Sequence, residues 1–266
     1  MKDLSRRLPT TLFLVVFAYA AIRYLPVPCF AALLYLLVSL AAWELLRLTR
    51  PSRQAWPLVF GNGLLVALAF TQPWFSLLHA LAGCLLADGL FFLFTVNSRE
   101  RLESFARDWG ILALAVIYLY VPLFFMLELK KLGPNYLFFL ILVIAIGDSG
   151  AYFVGSAIGR HKIYPLASPK KSLEGLVAAV LTAGLSGWLS LLLFPVQARV
   201  PMAMATAALV GLFSQLSDPV ESLFKRAAGQ KDSGALLPGH GGVLDRVDSY
   251  IFCAPLLFYM IRYFWR

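Results

Sequence analysis

Charge is what this 266-residue chain has least of: Asp, Glu, Lys and Arg make up 14% of it, where a soluble domain carries roughly 25%. Hydrophobic residues fill 60% of the sequence and the mean hydropathy is +0.77, which excludes an ordinary soluble globule and points to a membrane protein. Cysteine is scarce as well. Cys29, Cys84 and Cys253 lie in apolar runs with no Cys-x-x-Cys and no Cys/His cluster, so nothing supports a zinc site or a disulfide framework, and the three are expected to be small buried hydrophobes. A basic arm is also missing. The net charge of +9 is scattered over short loops beside apolar segments, so topology and anionic phosphates account for it and no nucleic-acid partner is expected.

What is present is a succession of apolar runs close to the ~20 residues that cross a bilayer. They predict helices at 10–27, 28–47, 55–72, 73–96, 109–129, 134–158, 172–195, 202–224 and 247–265, an all-α polytopic membrane bundle of about nine spans. Pro26 and Pro28 separate the first pair and Gln72-Pro73 the second, because proline removes a helix donor and clashes with the preceding turn. Residues 1–130 read as membrane-embedded support and 131–266 as the catalytic part of one membrane domain. Lys2, Arg6 and Arg7 ahead of an apolar run ending Ala18-Tyr19-Ala20 imitate a signal peptide, but the many later apolar segments favour a retained first span. With the N-terminus inside, only Arg23, Lys130, Lys131, Arg199, Arg262 and Arg266 of the 23 Lys and Arg fall outside, as the positive-inside rule requires. Both polar, motif-rich stretches then face the cytoplasm.

The first of these runs SDPVESLFKRAAGQKDSGALLPGHGGVLDRVDS from Ser217. Asp218, Glu221, Ser222 and Lys225 are spaced i, i+3, i+4, i+7, so on a helix they line one face. Asp245 and Asp248 are again i, i+3 at the start of the final span, where the helix dipole favours negative charge. Carboxylates gathered in this way repel unless cations neutralise them, and hard oxygen ligands suit Mg²⁺ bridging substrate phosphates. Interfacial salt bridges to Lys225, Arg226, Lys231 and Arg246 are the plainer alternative. They leave unexplained the glycines at 239, 241 and 242 around His240, where a backbone turns sharply or approaches a ligand closely.

The second stretch begins at Gly147. Asp148 lies within an apolar helix, where an ionisable group is costly enough to be a functional candidate. The small residues around it, Gly147, Ser149, Gly150, Gly155 and Gly159, are expected to let that helix pack tightly. After Pro165 and Pro169, Lys171 and Ser172 precede the next span. They read either as a phosphate site at a helix start or as a topogenic lysine with a serine cap. Elsewhere, His79 and Asp88 are expected to pack or line a cavity, Glu44 and Arg47 to form an interfacial ion pair, His161 to face headgroups, and Trp56, Trp74, Trp109 and Trp265 to form interfacial belts.

Together the two stretches resemble the phosphatidate cytidylyltransferase, or CDP-diglyceride synthetase, family. Its signature S-x-x-K-R-x(4)-K-D, then P-x-H-G-G-x-x-D-R-x-D, is matched by Ser222, Lys225, Arg226, Lys231, Asp232, Pro238, His240, Gly241, Gly242, Asp245, Arg246 and Asp248. Upstream, Asp148, Ser149, Ala151 and Tyr152, then Ser168, Pro169, Lys171, Ser172, Glu174 and Gly175, fit its D-[ST]-x-A-Y and S-P-x-K-[ST]-x-E-G. The resemblance covers residues 145–250; the first 130 match only in being apolar. Ser217-Asp218-Pro219 departs from it, since the family usually has glycine before the aspartate and often no proline after, and a kink at Pro219 would alter ligand geometry.

The resemblance implies CMP transfer from CTP to phosphatidic acid in a bacterial cell membrane. Asp218, Asp245 and Asp248 would hold Mg²⁺, with Lys225 and Arg246 also catalytic. Asp148, Lys171, Ser172, Ser222, Arg226, Lys231, Asp232 and His240 would bind substrate, Asp148 completing a second cation site or orienting a cation partner. CTP, bilayer phosphatidic acid and a second copy in a homodimer are the expected partners. A CTP-dependent polyprenol kinase or related CDP-lipid synthase is the nearest rival, and a cation-coupled transporter the rival of another class.

Overall fold

The computed structural model describes residues 15–52, 56–234, 236 and 241–265, and most of them are helical. Proline punctuates the first helices as the sequence predicts. Helix α1 (Val15–Tyr24) stops ahead of Pro26, and Pro26 is the N-cap of α2 (Val27–Thr49), where Pro28 falls in the first turn and forfeits no helix bond. Helices α3 (Trp56–Thr71) and α4 (Leu77–Thr95) part at Gln72-Pro73, and the Ser76 hydroxyl caps α4 by accepting the His79 N–H at 3.4 Å. His79 therefore sits in the first, exposed turn of α4, its Nδ1 2.7 Å from Ser76 Oγ.

The largest departure from the predicted boundaries is at 109–129. Helix α5 (Arg99–Leu114) starts at a Ser98 cap, passes through a π-helical stretch at Ala115–Tyr120 and continues as α6 (Val121–Leu132), forming one 34-residue rod. The charged turns from Arg99 to Asp108 are helical but not apolar, so hydropathy alone places the helix start too late. Tyr120 in the π-helical stretch is fully buried and hydrogen-bonds Ser39 at 3.1 Å.

Helix α7 (Pro134–Ile158) is followed by a hairpin of β1 (Lys162–Tyr164) and β2 (Ser168–Ser172), then by α8 (Leu173–Leu193), α9 (Val200–Ala227) and α10 (Leu244–Phe264). The hairpin was not expected of an all-α chain. It forms because Pro165 and Pro169 forbid helix there, and Pro169 is tolerated because a two-stranded sheet has only edge strands. Among the described residues six helices are long and apolar enough to cross a membrane: α2, α4, the α5–α6 rod, α7, α8 and α9. Helices α1 and α3 are shorter, and α10 carries Asp245, Arg246, Asp248 and Arg262, so nine crossings are not established by length and composition.

The chain forms two compact units, Met1–Leu127 with Asp232–Leu244, and Glu128–Lys231 with Asp245–Arg266. In the second, α7, α8 and α9 pack through small residues as the glycine pattern predicts. A Cβ on Gly147 would stand 3.3 Å from that of Ala183, and one on Gly187 would stand 2.6 Å from the Ala203 carbonyl oxygen. Backbones that close gain dispersion contacts that larger side chains would prevent. Trp265 belongs to this core and not to an interfacial belt, since its Nε1–H donates to Thr206 Oγ1 at 2.9 Å. Cys84 and Cys253 are buried as expected, but Cys29 is exposed.

Candidate active site

The polar stretch after Ser217 is not a loop inserted between spans. Its first third is the end of α9, a single 28-residue helix with Pro219 inside it. A proline cannot donate to the carbonyl four residues back, so the Gln215 carbonyl loses its helix partner. Lys171, arriving at the end of β2, donates to that carbonyl at 3.2 Å and reaches Asp218 Oδ2 at 2.7 Å. The departure from the family pattern at Pro219 thus creates one of the two acceptors that hold Lys171.

One turn further along α9, Glu221 is fully buried and ion-paired through Oε2 with Lys225, which is also nearly buried. Lys225 Nζ donates in addition to Asp245 Oδ1 at 2.7 Å. A buried carboxylate facing a buried ammonium is stable only while both are present, so this triad ties the end of α9 to the first turn of α10. Glu221 Oε1 accepts no hydrogen bond from the described residues. Asp248, one turn beyond Asp245, is largely buried. Its carbonyl accepts the Ser217 hydroxyl, its Oδ1 accepts the Ser249 N–H at 2.8 Å, and its carboxyl faces that of Asp218 within hydrogen-bonding reach.

One turn back on the same face of α9, Gln215 Nε2 and Ser214 Oγ donate to Asp148 Oδ1 at 2.7 and 3.1 Å. Sequence reading missed both donors, although Gln215 stands three residues before Asp218 and the i, i+3 rule run one turn backwards reaches it. It also missed the clasp that fixes the hairpin to α8. Glu174 accepts the Arg160 and His161 N–H groups at 3.2 and 3.3 Å and pairs with His161 Nδ1 at 2.6 Å, so this exposed loop histidine is also tied to α8. Ser172 caps α8 by accepting the Gly175 N–H at 3.2 Å, in agreement with the capping alternative.

These elements enclose a cavity of about 720 Å³ lined by Asp148, Lys162, Lys170, Lys171, Ser172, Gln215 and Asp218 together with Tyr152, Tyr164, Gly155 and Gly159, a size suited to a small-molecule ligand. A second, apolar recess of about 370 Å³ under the hairpin turn shares Tyr164 with it. The other predicted residues are not drawn in. Ser222 is half-buried on α9; Arg226 is exposed and donates to the Gln230 carbonyl at 3.2 Å; Lys231, Asp232 and Arg246 are exposed; and His240 lies outside the described residues.

Among the described residues no three Asp, Glu, His or Cys side chains stand close enough to hold a metal by themselves. The facing carboxyls of Asp218 and Asp248 are nevertheless what a hard cation requires. Two carboxylates in that relation need a proton or a cation between them, and Mg²⁺ is commonly held by one or two carboxylates with water and substrate phosphate completing the shell. Asp245 differs from the other two in being engaged by Lys225.

A membrane-embedded transferase of phosphorylated ligands is the class that fits such a cavity, walled by lysines of the hairpin and acids of apolar helices. The chain belongs to the cytidylyltransferase family, whose sequence model matches residues 5–264. It is 33% identical to the phosphatidate cytidylyltransferase of Bacillus subtilis strain 168, over 99% of this chain and 100% of that protein. It is also similar to the phosphatidate cytidylyltransferases of Staphylococcus aureus strain COL (34% identity, 70% of each chain) and Staphylococcus epidermidis strain ATCC 12228 (31% identity, 84% of this chain and 86% of the other).

Proposed function

We propose that this chain is an integral membrane enzyme that transfers CMP from CTP to phosphatidic acid, giving CDP-diacylglycerol and pyrophosphate. The observation that carries the reading is the convergence of Lys171, Asp218, Asp248 and the Lys225 triad on α9 beside a cavity large enough for a nucleotide. A phosphate monoester has its second pKa at about 6, so the lipid phosphate is mostly dianionic near neutrality and no general base is needed. A lipid phosphate oxygen attacks the α-phosphorus of CTP in line. The new P–O bond forms as the bond from Pα to the oxygen bridging to Pβ breaks, and pyrophosphate leaves with that electron pair.

The protein's work is to bring two polyanions together and to stabilise charge on the leaving group. Lys171, tethered by the Gln215 carbonyl, presents its ammonium to a phosphate at the cavity wall. Asp218 and Asp248 would hold Mg²⁺, which supplies charge neutralisation at the triphosphate when bound. Lys225 holds Asp245 in register with them, and Asp148, anchored by Gln215 and Ser214, orients the far side of the cavity for a second cation or a cationic partner. Arg226, Lys231 and Arg246, on the exposed side, supply further positive charge to the incoming phosphates, with Ser222, Asp232 and His240 completing the substrate contacts.

The distribution of Lys and Arg supports a cytoplasmic site in a bacterial cell membrane. Nine crossings, with α1, α3 and α10 joining the six longer apolar helices, and a homodimer complete the proposal. Purified protein given phosphatidic acid, Mg²⁺ and CTP labelled at the α-phosphate should place label in lipid and release pyrophosphate. Folded protein that yields neither product overturns the reading. Release of CDP with transfer of the γ-phosphate would mark a lipid kinase instead, and cation-dependent uptake into liposomes a transporter.

A further inference from the structure

We infer that Glu44, in the N-terminal half of the chain, is a positioning residue for the loop that leads into α10, and so sets the place from which Asp245 and Asp248 act; the inference rests on the function proposed above. The sequence spacing makes Glu44 a partner for Arg47, but Arg47 lies over the Trp43 ring, 4.7 Å from its centroid. Glu44 instead is fully buried, with no solvent exposure at all. A carboxylate there must have its lone pairs answered, and the answer comes from a segment about two hundred residues away. Glu44 Oε2 accepts the Ser233 hydroxyl at 2.8 Å and the Leu244 N–H at 2.8 Å, while Oε1 accepts the Val243 N–H at 3.0 Å.

Leu244 opens α10, so its N–H is one of the donors that a helix start leaves without a partner. Glu44 therefore acts as the cap of α10 from another helix, and places an anion at the positive end of its dipole. Asp245 is the next residue and Asp248 follows one turn later, so a shift of the Leu244 peptide is passed directly to both.

The glycines of the segment are accounted for by the same contact. Gly241 has φ +81°, which L side chains rarely adopt. A Cβ on Gly242 would run into both Glu44 carboxylate oxygens and Ser233 Oγ, and one on Gly234 would meet Glu44 first, Oε1 at 2.6 Å and Cδ at 3.0 Å. The backbone is thus wrapped around this carboxylate closely enough to forbid side chains at two places. An interfacial ion pair would require none of this.

The test uses full-length protein in detergent, wild type beside Glu44→Gln and Gly234→Ala, with two readouts. Hydrogen exchange without metal reads the Val243 and Leu244 amides. Both variants should exchange there at least tenfold faster than wild type while α7 and α9 amides keep their protection. The activity assay reads the Mg²⁺ concentration for half-maximal rate, which should rise about tenfold or more in both because Asp245 and Asp248 are displaced. Unchanged local exchange and unchanged Mg²⁺ dependence in Gly234→Ala overturn the inference even where Glu44→Gln does not fold. Faster exchange throughout the molecule in both variants also overturns it, as that marks a stability role alone. A wild-type protein with no transferase activity would defeat the proposed function, and the exchange result would still decide whether Glu44 holds the loop.

Discussion

Two sets of carboxylates lie in apolar helices of this chain, and they are treated differently. On α3 and α4, Asp88 is buried and both of its oxygens accept from the Asn62 side-chain amide, at 3.1 and 3.0 Å. It is a closed pair, and Asp88 lines none of the cavities described above. On α7, α9 and α10, Asp148 and Asp218 line a cavity, Asp218 faces Asp248, and Lys171 from β2 reaches Asp218. Both sets carry a desolvation cost. Only the second opens onto a cavity, and that property, more than burial or charge, marks a site.

Neutralising single acids in the two regions should separate their roles. Asp218→Asn, Asp245→Asn or Asp248→Asn should lower turnover a hundredfold or more, the scale of losing a principal electrostatic group, with helix content by circular dichroism retained. Asp88→Asn should leave turnover within about threefold. Equal effects would show that buried acids in this chain are all structural. Next in size is Lys225→Ala, which strands Glu221 and Asp245; losing one partner of a buried pair costs about 3–5 kcal/mol, so thermal unfolding in detergent should fall steeply. Glu221→Gln in the same protein should restore part of that loss.

Lys171→Ala should act mainly on binding, raising the apparent KM for CTP or phosphatidic acid by about tenfold, roughly one charge-assisted hydrogen bond. Unchanged KM for both would return Lys171 to a topogenic role. Smallest is Ser172→Ala, which removes the α8 cap and should lower stability by about 1 kcal/mol, measured by denaturant or thermal unfolding.

The second set was more legible in the sequence than the scaffold was. Asp218, Glu221 and Lys225 could be placed on one helix face by spacing alone, because a helix repeats every 3.6 residues whatever surrounds it. Gln215 and Ser214 escaped because neutral polar residues in an apolar run carry no charge signal. The start of α5 was lost because its first turns are charged, and hydropathy reports what faces lipid and not what is helical. Glu44 was misread for the opposite reason: a partner three residues away in sequence competes for attention with one two hundred residues away, and only the fold can choose between them. The hairpin at 162–172 depended on prolines whose effect is to forbid helix without specifying what replaces it.

The proline inside α9 has a consequence for anyone wishing to make this protein more robust. Pro219→Ala would return a hydrogen bond to α9 and looks like a repair, so the melting temperature should rise. It would also make Lys171 share the Gln215 carbonyl with the restored helix bond, weakening one of the two acceptors that hold its ammonium, and the substrate KM should rise with it. A screen for thermostability would select this change and a screen for turnover would discard it. At position 219, durability and catalysis draw on the same carbonyl oxygen.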